Sequence, residues 1–160
     1  MKSKNVLITV LLAGLVLVAA GCTGGSTSQS GPINAKWITA TVSGDQVTIP
    51  QKDVDTYTNV HFNVPTSYGQ LAFMAYNLND RTYVRANVCP PCSSIGFSLN
   101  NGILVCDSCG TTFEASTGNG ISGGCVAYPK AAVPHTVQNG QIVMSIDDAI
   151  AAYGATVQVG

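Results

Sequence analysis

The chain has 160 residues, of which only 9% are charged, and its formal net charge is −1. This length is that of a single domain. The near-neutral composition excludes nucleic-acid binding through a basic surface, because such binding depends on clustered lysine and arginine.

The N-terminal segment has the order of a secretory signal peptide. Residues 1–4 are basic, residues 6–20 are mostly apolar, and small residues precede Cys22. The junction before Cys22 also resembles the bacterial lipobox, in which that cysteine is lipidated. We therefore expect a signal peptide over residues 1–21, lipidation at Cys22 and a flexible tether over residues 22–32. The apolar run is short for a membrane span, and an uncleaved anchor is the alternative.

The charge of the remaining chain bears on how it is held at a membrane. Cleavage before Cys22 leaves five basic residues against eight acidic ones, a formal charge of −3. We therefore expect the domain over residues 33–160 to lie at the extracytoplasmic face of a cell membrane, held by lipid. Stable anchoring takes more than one acyl chain, since each buried methylene contributes only about 0.8 kcal/mol.

The pattern from residue 33 onward is that of short β-strands. Alternating apolar residues predict strands over residues 36–42, 46–49, 59–64, 71–76, 82–87, 97–99, 103–105, 135–137 and 141–145. The pairs Asn101-Gly102 and Asn139-Gly140 favour type I′ hairpin turns. Only residues 147–153, preceded by Ser145 as a cap, are predicted to be helical. The predicted fold is mainly β, an antiparallel sandwich or barrel with one short C-terminal helix and two cysteine-bearing loops.

Two C-x-x-C pairs dominate the chemistry of the sequence. They are Cys89-Pro-Pro-Cys92 and Cys106-Asp-Ser-Cys109, separated by a predicted hairpin. Each pair places two sulfurs on one loop, and two such loops complete a four-thiolate set. Soft thiolates select zinc, iron or an iron–sulfur cluster. Disulfides are the alternative in an exported protein, although five cysteines after Cys22 leave one over in either case.

Three further residues are weaker candidates. Cys125 follows two glycines that permit a close backbone approach, so it is a candidate fifth ligand, a thiol beside the ligands or a redox-active cysteine. The alternative is a small buried residue of the core. His61 lies in an alternating strand and is interpreted as structural. His135 is a minor candidate for a ligand or for a hydrogen-bond donor to one.

The order of the motifs resembles a known family. The segments that carry the resemblance are Val84-Arg-Ala-Asn-Val-Cys-Pro-Pro-Cys92, Ile95-Gly-Phe97, Val105-Cys-Asp-Ser-Cys-Gly110, Phe113 and Gly123-Gly-Cys125. They are similar to the FtrD-like family of membrane-associated iron–sulfur proteins, over about residues 46–153. The resemblance implies an iron–sulfur centre at an extracytoplasmic membrane surface, with electron transfer to a membrane redox or iron-transport partner.

The same stretch is more distantly similar to Rieske domains, whose two ligand loops each carry one cysteine and one histidine. Cys92 and Cys109 stand where the histidines would be. Replacing two neutral imidazoles by two thiolates adds negative charge and lowers the expected reduction potential.

Three functions therefore compete at the level of sequence. The first is a membrane-anchored, non-enzymatic electron carrier whose iron–sulfur cluster is held by Cys89, Cys92, Cys106 and Cys109. The second is a zinc-stabilised binding module with the same four ligands, and the third is a thiol–disulfide redox protein. Familiar hydrolase, P-loop and dinucleotide-binding motifs are missing from the sequence, so an enzymatic role has no support in it.

Overall fold

The computed structural model describes residues 31–158. The predicted signal peptide, the lipidation site Cys22 and nearly all of the tether lie outside these residues. Within residues 31–158, neither helix has the length and apolar character needed to cross a bilayer.

The described chain forms twelve strands and two helices. The strands are β1 Lys36–Trp37, β2 Thr41–Ser43, β3 Gln46–Pro50, β4 Asn59–Thr66, β5 Gly69–Leu78, β6 Arg81–Ala86, β7 Phe97–Asn100, β8 Ile103–Cys106, β9 Thr112–Glu114, β10 Gly120–Ser122, β11 Thr136–Gln138 and β12 Gln141–Ser145. The helices are α1 Gln51–Tyr57 and α2 Ile146–Val157, and a 3₁₀ turn spans Pro90–Cys92.

These strands form three four-stranded sheets, in the orders β1-β4-β5-β6, β2-β3-β12-β11 and β7-β8-β9-β10. Every pairing is antiparallel except that of β1 with β4. The prediction of a mainly β, antiparallel fold is therefore confirmed. The sheet β7-β8-β9-β10 is the one that carries the cysteine loops.

Two-residue turns connect the main hairpins. Asn101 and Gly102 have φ of 49° and 81°, and Asn139 and Gly140 have φ of 51° and 73°. Positive φ at both central residues is what a type I′ turn requires, so the predicted Asn-Gly hairpins are present. The connection of β5 to β6 uses the same geometry, with Asn79 and Asp80 at φ of 51° and 58°.

The interior is divided into two hydrophobic clusters. One packs α2 and the strands β3 and β12 against β4, β5 and β6. The other surrounds the cysteine-bearing sheet, with Phe97, Leu104 and Phe113 fully buried. Cys89, Cys106 and Cys125 belong to this second cluster. The thiols are therefore positioned by a packed core rather than by a free loop.

Three predictions of secondary structure need correction. Residues 51–57 form α1, which the sequence pattern did not predict because this short helix buries only Val54. The strand predicted over residues 36–42 is two separate strands, β1 and β2. The strand predicted over residues 59–64 continues as β4 through Pro65. A proline has no N–H to donate, and it is tolerated there because β1 pairs only with Val60 and His61 and leaves the other end of that edge of β4 free.

Helix α2 confirms the predicted C-terminal helix and is longer at both ends. The Ser145 hydroxyl accepts hydrogen bonds from the backbone N–H groups of Asp147 (3.1 Å) and Asp148 (3.4 Å). This is the N-cap that the sequence predicted.

Candidate metal centre

The four cysteines of the C-x-x-C pairs converge on one point. The sulfur atoms of Cys89, Cys92, Cys106 and Cys109 all lie within 4.8 Å of one another. The Sγ atoms of Cys89 and Cys109 are 3.9 Å apart, and those of Cys92 and Cys106 are 3.7 Å apart. A tetrahedral centre with metal–sulfur bonds of about 2.3 Å has sulfur–sulfur edges of about 3.8 Å. Two of the six sulfur–sulfur distances therefore match the edges of such a centre, and none exceeds 4.8 Å.

The first loop is a tight reversal after β6. The Cys89 N–H donates to the Ser94 carbonyl at 2.8 Å, which closes the loop, and the 3₁₀ turn brings Cys92 back beside Cys89. Pro90 and Pro91 suit this position, because the first residues of a helical turn do not need their own N–H groups. Ser93 ends the turn in the left-handed conformation, with φ of 56°.

The second loop connects β8 to β9. The Cys106 N–H donates to the Thr111 carbonyl at 2.9 Å, and the Gly110 N–H donates to the Cys106 carbonyl at 2.9 Å. Gly110 has φ of 69°, a conformation that favours glycine. These bonds fold the chain so that Cys106 and Cys109 face the same centre.

A contact between Gly96 and Asp107 ties the two loops together. The Asp107 N–H donates to the Gly96 carbonyl at 3.0 Å, and the Asp107 carboxylate accepts a hydrogen bond from the Ser98 hydroxyl at 2.7 Å. A Cβ atom at Gly96 would lie 2.7 Å from an Asp107 carboxylate oxygen, so a side chain there would displace that carboxylate. The two cysteine loops are therefore linked both through the backbone and through the Asp107 side chain.

The centre is buried on one side and open on the other. Cys89 and Cys106 are buried, Cys92 is partly exposed and Cys109 is exposed. Burial raises the pKa of both Cys89 and Cys106. Hydrogen bonds from the hydroxyl and backbone N–H of Thr111 lower the pKa of Cys109 to about 6. Cys109 is thus more readily ionised than the buried Cys89 and Cys106, and it is the most exposed of the four.

Cys125 lies directly beside this set. Its Sγ is 3.7 Å from that of Cys109, and its backbone N–H donates to the Thr111 hydroxyl at 3.2 Å. Gly123, with φ of 114°, lies so close that a Cβ there would be 2.6 Å from the Thr111 hydroxyl oxygen. Of the two glycines before Cys125, Gly123 makes the close backbone approach, whereas a Cβ at Gly124 would meet nothing within 4 Å. Cys125 is outside the group of four sulfurs that are mutually within 4.8 Å.

Lys130 is a part of the site that the sequence pattern did not reveal. Its side chain is fully buried, and its Nζ donates to the carbonyl of Val88, the residue before Cys89, at 2.6 Å. The Nζ also lies 4.4 Å from the ring centre of Phe113 and 5.2 Å from that of Phe97. Burial lowers the pKa of Lys130, while the neighbouring thiols raise it. Nothing in a lone lysine after Tyr-Pro predicts this placement.

Neither His61 nor His135 contributes a ligand atom to the group formed by the four cysteines. His61 is almost completely buried in β4, with its ring edge-on to Trp37 at a centroid distance of 5.3 Å. The His135 ring contacts the Val133 carbonyl through Nδ1 at 2.9 Å. The group of four neighbouring ligand atoms found within residues 31–158 is made of cysteines alone.

A protein-family model matches most of the residues that the structure describes. Residues 56–153 match the model of a family described as membrane iron-sulfur containing protein FtrD-like. The chain belongs to the FtrD-like family. The resemblance stated from the motifs is therefore confirmed.

Two solved structures are similar to this FtrD-like domain, one of them closely enough to show the same fold. A chain from the complex of reduced oxygenase and oxidized ferredoxin in carbazole 1,9a-dioxygenase is 18% identical, with a TM-score of 0.52 over 65% of this chain and 95% of that one. A Sphingomonas yanoikuyae B1 ferredoxin is 21% identical, with a TM-score of 0.43 over 52% of this chain and 83% of that one. The first of these matches confirms the Rieske-like similarity at the level of fold. The comparison with curated proteins gives no match.

The donor set of this FtrD-like protein fits the cofactor named for its family. Four thiolates are the ligands that iron–sulfur clusters take, and the four sulfurs lie together at the edge of a hydrophobic core. The protein is therefore an iron–sulfur protein.

Proposed function

We propose that the protein is a membrane-anchored electron carrier in which Cys89, Cys92, Cys106 and Cys109 hold the iron–sulfur cofactor. The observation that carries this proposal is the convergence of those four sulfurs in a chain of the FtrD-like family. When bound, the cofactor accepts and donates single electrons.

Different residues of the chain have different roles at the site. The core around Phe97 and Phe113 excludes water from the side of Cys89 and Cys106, which strengthens electrostatic interactions there. The exposed Cys109 is the point at which a partner comes nearest to the cofactor. The hydrogen bond from the Asp107 N–H to the Gly96 carbonyl links the two cysteine loops.

The spacing of the sulfurs favours a specific second candidate for the form of the cofactor. Two of the six sulfur–sulfur distances, 3.9 and 3.7 Å, match the edges of one four-coordinate ion, and none exceeds 4.8 Å. Such an ion would be a single iron held by four thiolates without inorganic sulfide. The two forms differ in their content of acid-labile sulfide.

Metal analysis of the anaerobically purified full-length protein tests the proposal. We expect iron, visible absorption that dithionite bleaches, and loss of both in Cys89→Ser and Cys106→Ser variants. Acid-labile sulfide in proportion to iron indicates a cluster, and iron without sulfide indicates the single ion. A colourless protein with equimolar zinc would contradict the electron-carrier proposal and support the zinc-stabilised module. A metal-free protein with reactive thiols would support the thiol–disulfide alternative.

Membrane attachment is proposed to occur through lipid on Cys22, at the extracytoplasmic face. The name of the family and the sequence before Cys22 support this proposal. We expect the full-length protein expressed in bacteria to enter the detergent phase on temperature-induced partition, and the Cys22→Ser variant to enter the aqueous phase if its signal is cleaved. Retention of the parent protein in the aqueous phase would count against the lipid anchor.

The electron partner is proposed to be a membrane redox or iron-transport protein. The link to iron transport is supported by resemblance to the family. Deletion of the gene, followed by measurement of iron uptake at limiting iron, separates the two kinds of partner. Unchanged iron uptake would indicate that the partner is a redox protein that does not take part in iron transport.

A further inference from the structure

Lys130 carries a positive charge into the interior, next to the segment that holds Cys89. Its side chain has no exposed surface, and its Nζ donates to the Val88 carbonyl at 2.6 Å. The rings of Phe113 and Phe97 cover it at 4.4 and 5.2 Å. A carbonyl dipole and two ring faces compensate a buried ammonium only in part.

The negative groups that face Lys130 are sulfurs. Val88, whose carbonyl accepts the Nζ hydrogen bond, directly precedes Cys89, and the two phenylalanines that cover Nζ pack in one cluster with Cys89, Cys106 and Cys125. The thiols of Cys89, Cys106, Cys125 and Cys92 also raise the pKa of Lys130. The thiols come from three segments: the loop after β6, the end of β8 and the segment before Lys130 itself. The anion that pairs with this lysine is therefore the cysteine cluster.

Thiols provide that negative charge only when they are ionised. Metal binding deprotonates cysteine ligands, so a loaded four-thiolate centre is anionic while the same four thiols without metal are neutral. Addition of one electron makes the loaded centre more negative by one unit, with no bond formed or broken. A fixed cation in a medium of low dielectric constant stabilises each of these steps.

We propose that Lys130 is the buried counter-charge of the thiolate centre, which strengthens metal binding and raises the reduction potential of the cofactor. The effect on the reduction potential rests on the proposed function. The effect on metal binding holds for any metal in the four-thiolate site. Lys130 acts on the centre through its charge and is not a ligand.

Four variants of the full-length protein test this role. Lys130→Met and Lys130→Gln remove the charge, and the glutamine keeps a donor for the Val88 carbonyl. Lys130→Arg keeps the charge, and Lys52→Met removes a charge from the exposed face of α1 as the matched control. Potentiometric titration and the rate of metal loss to a chelator are measured for each protein.

We expect the neutral variants to shift the oxidised-to-reduced equilibrium at least tenfold towards the oxidised form. For a one-electron couple this is about 59 mV lower in potential. We also expect them to lose metal to the chelator at least tenfold faster. Lys130→Arg should stay close to the parent protein in both measurements, and Lys52→Met should be unchanged.

The outcomes separate this inference from the proposed function. An iron–sulfur protein whose neutral variants keep the parent potential and metal retention overturns the inference alone. A zinc protein overturns the electron-carrier proposal, and the chelator measurement then decides the role of the charge. If neither neutral variant folds while Lys130→Arg does, the charge itself is required, which supports the inference. If all three Lys130 variants fail to fold, Lys130 acts through packing and the inference is wrong.

Discussion

The Sγ atom of Cys109 lies 3.7 Å from the Sγ atom of Cys125, the same spacing that separates Cys92 from Cys106 within the centre. The Thr111 hydroxyl joins the two cysteines, since it lies 3.2 Å from the Cys109 sulfur and accepts the Cys125 N–H at 3.2 Å. The centre therefore has a fifth thiol in contact with its most exposed ligand.

The first prediction concerns which thiols are required for metal binding. Cys125 lies outside the group of four mutually close sulfurs, so we expect Cys125→Ser to keep the parent metal stoichiometry. Its affinity should fall by about tenfold, the size of effect that residues beside metal ligands have. Cys109→Ser should lose the metal. Metal content after gel filtration checks both variants, and equal loss from the two would identify Cys125 as a ligand.

The second prediction concerns the glycine that brings Cys125 into place. A methyl group on Gly123 would lie 2.7 Å from the Thr111 Cα atom, at a backbone φ of 114°. We expect Gly123→Ala to cost at least about 1 kcal/mol and to move Cys125 away from Cys109. Urea denaturation measures the cost, and alkylation of Cys125 in the folded protein measures the displacement.

Gly124→Ala is the matched control for Gly123→Ala, because a methyl group on Gly124 meets nothing within 4 Å. We expect its effect on stability to be within about 0.5 kcal/mol and its Cys125 to stay protected. Equal alkylation of Cys125 in both variants would show that the approach of Gly123 to Thr111 does not position this thiol.

The sequence was most informative where local chemistry determines structure. Asn101-Gly102 predicted a hairpin because few other residue pairs accept positive φ twice in succession. The convergence of the two C-x-x-C loops also followed from local spacing, since that hairpin sets their separation. The helix cap at Ser145 is a further example, because its hydroxyl bonds N–H groups only two and three residues away.

The features that the sequence did not reveal depend on contacts between distant segments. Lys130 is buried because β7 and β9 bring Phe97 and Phe113 over its side chain, and a lone lysine otherwise indicates an exposed surface. Helix α1 was missed because a seven-residue segment with one buried side chain has no detectable helical period. Arg85 is likewise buried, although an isolated arginine in the sequence indicates an exposed charge.

The third prediction concerns the stability provided by Arg85. Its guanidinium donates to the Tyr76 hydroxyl (2.8 Å) and to the carbonyls of Lys130 (2.8 Å) and Ser116 (2.6 Å). Hydrogen bonds to a charged group contribute roughly 1.5–3 kcal/mol each, and those of one side chain are not additive. We expect Arg85→Met to lower the free energy of unfolding by about 3 kcal/mol, measured by urea denaturation.

Arg81→Met is the control for Arg85→Met, because Arg81 is exposed and lies over the ring of Tyr83 at 5.5 Å. Its loss should cost no more than about 1 kcal/mol. Arg85 also lies over the Tyr83 ring, at 5.7 Å, so a similar cost for both variants would mean that its buried hydrogen bonds add nothing beyond that contact.

The fourth prediction concerns the dependence of stability on pH through His61. Burial lowers the pKa of His61 to about 4, from 6.5 for a free side chain, and within residues 31–158 neither ring nitrogen has a hydrogen-bond partner. The unfolded chain therefore takes up a proton at a higher pH than the folded protein does. The contribution of His61 to the free energy of unfolding is therefore fully present above pH 6.5. It is lost as the pH is lowered towards 4, by about 3 kcal/mol in total.

Comparison of variants isolates this contribution from the acid release of the metal, which weakens the parent and the variants alike. We expect His61→Phe, which keeps a ring against Trp37, to lose about 3 kcal/mol less stability than the parent between pH 7 and pH 4. His135→Gln should follow the parent, because His135 is only partly buried and lies outside this pair. Denaturant titrations of the metal-loaded proteins at both pH values measure these differences. The same acid-induced loss in His61→Phe and in the parent would show that the buried imidazole does not account for it.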